Sequence, residues 1–124
     1  MPGPRKRLGD FGERATAAYL ARQGYGLVAR KWRCASGEFD LVMRDGAALV
    51  FVEVRTRRGG ATGDAEGSVG RAKQERLIAL AYTYLEAAGA PADIPWRIDV
   101  VALDVDRGGR IVRLHHIRDA VEER

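Results

Sequence analysis

The chain has 124 residues, 21 Lys plus Arg against 17 Asp plus Glu, and a net charge of +4. That length suits a single domain, able to bury roughly two-thirds of the surface its unfolded chain exposes. A single cysteine, Cys34, excludes an internal disulfide, and no Cys/His cluster is spaced for structural zinc.

The longest wholly apolar run covers residues 47–52, far short of the roughly 20 residues that span a bilayer. The basic segment 1–7 reads as a flexible tail and is not followed by the apolar stretch of a signal peptide, because Asp10, Glu13 and Arg14 intervene. These features lead us to expect a cytoplasmic protein with no membrane partner. A basic pI leaves room for a polyanionic one.

Residues 8–23 carry Leu8, Phe11, Ala15, Ala18 and Tyr19 at three- and four-residue spacing, which predicts a helix stopped by Gly24. Residues 25–33, 38–44 and 47–55 read as three strands, the last two joined by an Asp45-Gly46 turn. Residues 56–67 are glycine-rich with no large apolar side chain and read as a flexible loop. A second helix is expected over 68–88, capped by Ser68, with Leu77, Leu80, Ala81, Tyr84 and Leu85 on one side. Strands over 96–105 and 110–117 close the chain. The order α-β-β-β-α-β-β predicts an α/β layered domain with a mixed central sheet. Residues 47–55 form its central strand, apolar on both faces.

Acidic residues interrupt the middle hairpin. With Asp45-Gly46 as a two-residue loop, Arg44 pairs with Ala47, Asp40 stands opposite Phe51, and Glu38 opposite Glu53. Side chains alternate along a strand and opposite residues share a face, so Glu38, Asp40, Glu53 and Arg55 converge on one side of the sheet. Like charges so placed repel one another and lose solvation beside aliphatic neighbours. Oxygen ligands grouped this way suit Mg²⁺ or Mn²⁺. The plainer alternative has Glu38 solvated at a strand end and Glu53 paired with Arg55 or Arg57.

Gly12-Glu13, Gly24-Tyr25, Trp32-Arg33, Gly37-Glu38-Phe39-Asp40-Leu41, Phe51-Val52-Glu53-Val54-Arg55, Ser68-Val69 with Lys73, and Arg97-Ile98-Asp99-Val100-Val101 resemble the YraN-like family of small bacterial proteins. That family resembles the PD-(D/E)xK nuclease superfamily, close in layout to Holliday-junction resolvases. The resemblance implies a three-layer restriction-endonuclease-like fold and a metal-dependent endonuclease acting on DNA, including branched or damaged DNA. It implies Asp40, Glu53 and the main-chain carbonyl of Val54 as ligands of Mg²⁺ or Mn²⁺, with Glu38 as an extra or outer ligand. It also places Arg55 where the superfamily's lysine is usual. Arginine stays protonated and cannot serve as a base, but it can orient phosphate oxygens. A non-catalytic nucleic-acid-binding protein on the same fold is the alternative. The resolvase likeness further implies a homodimer and keeps Glu13 as a catalytic candidate, although the helical wheel puts it about 150° from the apolar face.

Lys73, at the edge of the second helix's apolar face, is a candidate to reach over the sheet toward the acids, or else to snorkel. Arg33, Arg57, Arg58, Arg71, Lys73 and Arg76 fall in basic clusters that suit phosphate contacts. Trp32 among them is an interior or rim residue, or a surface for a base. His115 and His116 point to opposite faces of a strand and share no site. Asp99 is expected in an ion pair with Arg97.

Overall fold

A computed structural model describes residues 3–59 and 69–121. Its elements are α1 (Pro4–Arg22), β1 (Gly26–Cys34), β2 (Gly37–Asp45), β3 (Ala48–Arg58), α2 (Arg71–Ala87), β4 (Trp96–Val105) and β5 (Ile111–Ile117). The strands form one sheet in the order β1-β2-β3-β4-β5, antiparallel except for the parallel pair β3 and β4. The crossover between these parallel strands carries α2, as a parallel connection requires.

The sheet separates two cores, giving three layers. On one face Phe39, Val42, Leu49, Phe51, Ile98 and Val100 pack under Leu77, Leu80, Ala81 and Tyr84 of α2. On the other, Leu41, Met43, Val50, Val52, Val101 and Leu103 pack under Ala17 and Leu20 of α1. Strand β3 supplies both cores, as expected of an apolar central strand. No described helix is long and apolar enough to cross a membrane.

Several local expectations are corrected. Helix α1 starts at Pro4, with proline in its first turn, so Arg5, Lys6 and Arg7 are helical rather than tail. The buried face of α1 is Gly12, Thr16, Ala17 and Leu20, while Ala18 is exposed. At 100° per residue this face is rotated by about a third of a turn from the apolar stripe. Gly12, Thr16 and Ala17, together with Leu20, form the side of this helix that closes on the sheet. A Cβ on Gly12 would overlap Oγ1 of Thr56 in β3, so the missing side chain is what allows the approach.

Thr56, Arg57 and Arg58 extend β3 instead of opening a loop. The rest of the expected loop, from residue 60, and the expected cap Ser68 lie outside the described residues. The N-cap of α2 is Gly70, with no side-chain cap.

The β2–β3 hairpin also turns one residue later than expected. Asp45 pairs with Ala48 and Arg44 with Leu49, so Gly46 and Ala47 make the turn. Gly46 takes the positive φ, +59°, at its first position, a conformation glycine adopts without steric cost. Asp45 instead accepts from Arg97 Nη2 at 3.1 Å and Arg118 Nη2 at 3.2 Å. Because the register differs by two residues, each side chain keeps its face.

Candidate functional site: a carboxylate pair where two strands part

The regular ladder between β2 and β3 ends at Leu41↔Val52. One residue further, Asp40 stands across from Glu53, not from Phe51 as the Asp45-Gly46 turn would have it. There the Asp40 carboxylate takes over as backbone acceptor: the Val54 N–H donates to its Oδ2 at 2.8 Å.

The neighbouring pair of strands is disturbed in the same row. Arg30 pairs with Leu41 and Trp32 with Phe39, leaving Lys31 across from Asp40. Lys31 has φ +49°, a left-handed conformation that is uncommon for a residue with a Cβ. The kink is matched on both strands. Ala29 and Trp32, three apart, both face the α2 core, as do Phe39 and Val42, whereas Leu41 faces α1.

Three elements bring charges to this row. From α2, Lys73 Nζ lies 2.8 Å from Oε2 of Glu53, whose side chain is only 12% exposed. From β1, Lys31 Nζ bridges Asp10 at 2.9 Å and Glu13 at 2.8 Å on α1. Glu13 is 13% exposed, contrary to the surface position of the helical wheel, because the rotated face of α1 includes it. These two contacts hold the Lys31 ammonium well above its ordinary range, and the same hydrogen bond to Lys31 pulls Asp10 down.

Burial, followed by the adjoining Glu53 carboxylate, pushes Asp40 up to about 8, against the opposite pull of the Val54 N–H and with a further upward push from Glu13. Asp40 therefore tends to keep its proton at neutral pH, while Glu53 beside it faces Lys73. Two adjoining carboxylates in a half-buried site are, once both are ionised, the type of oxygen donor that Mg²⁺ or Mn²⁺ takes, one or two from the protein with water completing the shell. Among the described residues no group of three or more His, Cys, Asp or Glu is placed to hold a metal ion.

Other candidates lie elsewhere. Glu38 does not join the pair: it accepts from Arg33 Nε at 3.1 Å, because the alternation that would align it with Asp40 breaks at the kink. Arg55 is half-buried on β3 two residues beyond Glu53. Arg57 donates to Asp104 at 3.2 Å. Arg58 lies against the carbonyls of Asp106 and Arg107, and Arg71 against Glu75 at 3.9 Å. Arg76 is exposed. Trp32 is half-buried, edge-on to Tyr84 at 5.1 Å between ring centroids.

A second polar cluster lies on the α1 side. Asp99, fully buried, accepts from Arg97 Nε at 3.0 Å and the Asp119 N–H at 2.9 Å, and meets His116 Nε2 at 2.8 Å. Arg97 also donates to the Tyr25 hydroxyl at 2.6 Å. The pairing with Arg97 follows the sequence expectation. The His116 contact does not, since it depends on a β4–β5 register that shifts between Asp104 and Val105. Lys31 was likewise hidden, as no residue type marks it for a left-handed backbone.

The model of the uncharacterised protein family UPF0102 matches residues 12–103, which include Asp40, Glu53, Lys73 and most of both cores. Among relatives, a UPF0102 protein of Roseiflexus castenholzii is 54% identical over 123 residues, covering 99% of each chain. One of Chloroflexus aurantiacus is 55% identical with the same coverage. A third, of Pelotomaculum thermopropionicum, is 44% identical over 120 residues, covering 97% of this chain and 99% of its own. At these identities, over essentially whole chains, the protein belongs to the uncharacterised family UPF0102.

Proposed function

We propose that the protein is a divalent-metal-dependent endonuclease that hydrolyses phosphodiester bonds in DNA. The observation that carries this reading is the Asp40–Glu53 pair, set where β2 and β3 part and held there by the Val54 N–H. Burying two adjoining carboxylates destabilises a fold; here a proton retained on Asp40 and the Lys73 ammonium on Glu53 offset that cost, places that a divalent cation would take.

Asp40 and Glu53, with the main-chain carbonyl of Val54, would hold Mg²⁺ or Mn²⁺. When bound, such an ion supplies positive charge at a phosphate oxygen and an acidified water. The chain's own groups supply the rest. Asp40 must release the proton it retains near neutral pH before it can act as a full ligand. Lys73, 2.8 Å from Glu53, contributes an amine on the α2 side, where the superfamily's lysine is replaced in β3 by Arg55. Arg55 contributes a fixed positive charge to orient phosphate oxygens. Exposed Arg33, Arg58, Arg71 and Arg76 suit sequence-independent contacts along the backbone. Arg57 is less suited, being half-buried as well as engaged by Asp104.

Arg55 in place of lysine favours a second reading, a DNA-binding protein that does not cleave. Incubation with linear, flapped and four-way-junction DNA, with and without Mn²⁺ and beside Glu53→Ala, separates the two. The nuclease reading expects Mn²⁺-dependent products that vanish with Glu53→Ala. Salt-sensitive binding without products on any substrate supports the second reading, and cleavage that survives the substitution refutes the site.

A further inference from the structure

The carboxylate row carries two lysines of different character. Lys31 is fixed: it bridges two carboxylates, Asp10 and Glu13, from a backbone held at φ +49°. Lys73 meets one carboxylate, Glu53, and sits in the first turn of α2 with 39% of its side chain exposed while that of its partner is 12% exposed. The carboxylate is thus the buried member of the pair and the amine the accessible one. A doubly charged ion taken up by Glu53 would lie against the ammonium now 2.8 Å from the same oxygen, and like charges at that range repel strongly in a half-buried site. The two lysine side chains are about equally exposed, 36% for Lys31 and 39% for Lys73, but of the two only Lys73 meets a carboxylate of the Asp40–Glu53 pair, and it does so through a single ion pair.

We propose that Lys73 is a resident counter-ion for which a divalent cation exchanges, so that cation entry at Asp40 and Glu53 frees the Lys73 amine to meet a substrate phosphate. The proposal rests on the metal-site reading above and deepens it: cation uptake and presentation of a phosphate-binding amine become one event. Lys31 stays in place as the neutralising partner of Asp10 and Glu13, and so serves as an internal reference.

The test uses the full chain and needs no cleavage. Reductive methylation is followed by peptide mass spectrometry at Lys6, Lys31 and Lys73, the chain's three lysines, with and without Mn²⁺. Mn²⁺ affinity is measured by the loss of the free-ion electron paramagnetic resonance signal for the unaltered chain, Lys73→Gln and Lys31→Gln. Saturating Mn²⁺ is expected to raise the labelling rate of Lys73 about fivefold and leave Lys6 and Lys31 unchanged. Lys73→Gln is expected to bind Mn²⁺ about tenfold more tightly, and Lys31→Gln no more tightly than the unaltered chain. Lys73 labelling that does not change at Mn²⁺ saturation, or a Lys73→Gln variant that binds no more tightly, overturns the exchange while leaving the metal site standing. Failure of the unaltered chain and of both variants to bind Mn²⁺ overturns the metal site and the exchange with it.

Discussion

The Val54 backbone N–H donates to Oδ2 of Asp40 at 2.8 Å, so a side chain of β2 continues a hydrogen-bond ladder that its own backbone has left. This contact locks the Asp40 carboxylate against β3 and beside Glu53. A group with such a role cannot move away from its neighbour's charge, and it retains a proton instead. Burial and Glu53 raise Asp40 to about 8, whereas in the unfolded chain it ionises near 4. Between those values the folded state binds the extra proton, so stability falls as pH rises through that window and levels off above about 8.

Asp40→Asn keeps an acceptor for Val54 and removes the ionisation. At pH 7.5 and without divalent cations it is expected to be more stable than the unaltered protein by at least about 1 kcal/mol, the worth of a single unit of pKa difference. At pH 4 the two should melt together. Thermal unfolding at the two pH values checks this, and Mn²⁺ should raise the melting temperature of the unaltered protein only. Equal melting at both pH values would remove the repulsion on which the site argument rests.

The strands and their order were legible because β patterning depends on local alternation and turn residues. Asp40 and Glu53 share a neighbourhood even though the hairpin register was off by two, since an even slip preserves faces. Glu38 failed for the complementary reason: the paired kink at Lys31 and Asp40 breaks the alternation on which its placement depended, and no residue type announces such a kink. The buried face of α1 departs from its apolar stripe because Gly12 and Thr16 contribute little hydrophobic signal, although both are buried and Gly12 lies against Thr56 of β3. Asp99 and His116, 17 residues apart in sequence, meet across the β4–β5 hairpin, whose register shifts between Asp104 and Val105.

If the site cleaves DNA, the two basic residues beside Glu53 should differ in importance. Lys73 touches Glu53 at 2.8 Å, and Lys73→Gln is expected to lower the cleavage rate about 10²- to 10³-fold, the usual loss on removing one group that stabilises developing charge. Arg55→Lys retains the positive charge on β3 and should leave the rate within about tenfold. Single-turnover rates on a junction substrate test the contrast. The reverse order of sensitivity would assign the amine's role to position 55.

Gly12 tests the packing that brings Glu13 to the site. Alanine is favoured over glycine in a helix interior by about 1 kcal/mol, so a surface glycine would gain from the change. At Gly12 the new methyl would overlap Oγ1 of Thr56, a short side chain on a central strand with little room to withdraw. Overpacking of this kind costs about 1–3 kcal/mol. Gly12→Ala should therefore lower stability in urea unfolding, and adding Thr56→Ala should recover part of the loss. A Gly12→Ala protein as stable as the parent would mean that α1 does not close on β3 at this point.

Asp99 tests the second polar cluster. Burial alone would raise its pKa, but His116, the Asp119 N–H and Arg97 outweigh that and hold it below the ordinary carboxylate range. Its contribution to stability is therefore present above the unfolded value near 4 and is lost as pH falls through the lower folded value. Asp99→Asn leaves the Arg97 guanidinium without its nearest countercharge at the buried end of the cluster. Breaking a buried ion pair from one side costs about 3–5 kcal/mol, so a loss of about 3 kcal/mol is expected at pH 7 in urea unfolding, shrinking toward pH 2. The chain after β5 should loosen in the same variant, because the Asp119 N–H donates to Asp99 Oδ1. Faster amide exchange at Asp119, with Val52 and Val54 of β3 unaffected, would locate the damage at the C-terminal fastening. Equal exchange at all three would mean that Asp99 supports the whole sheet instead.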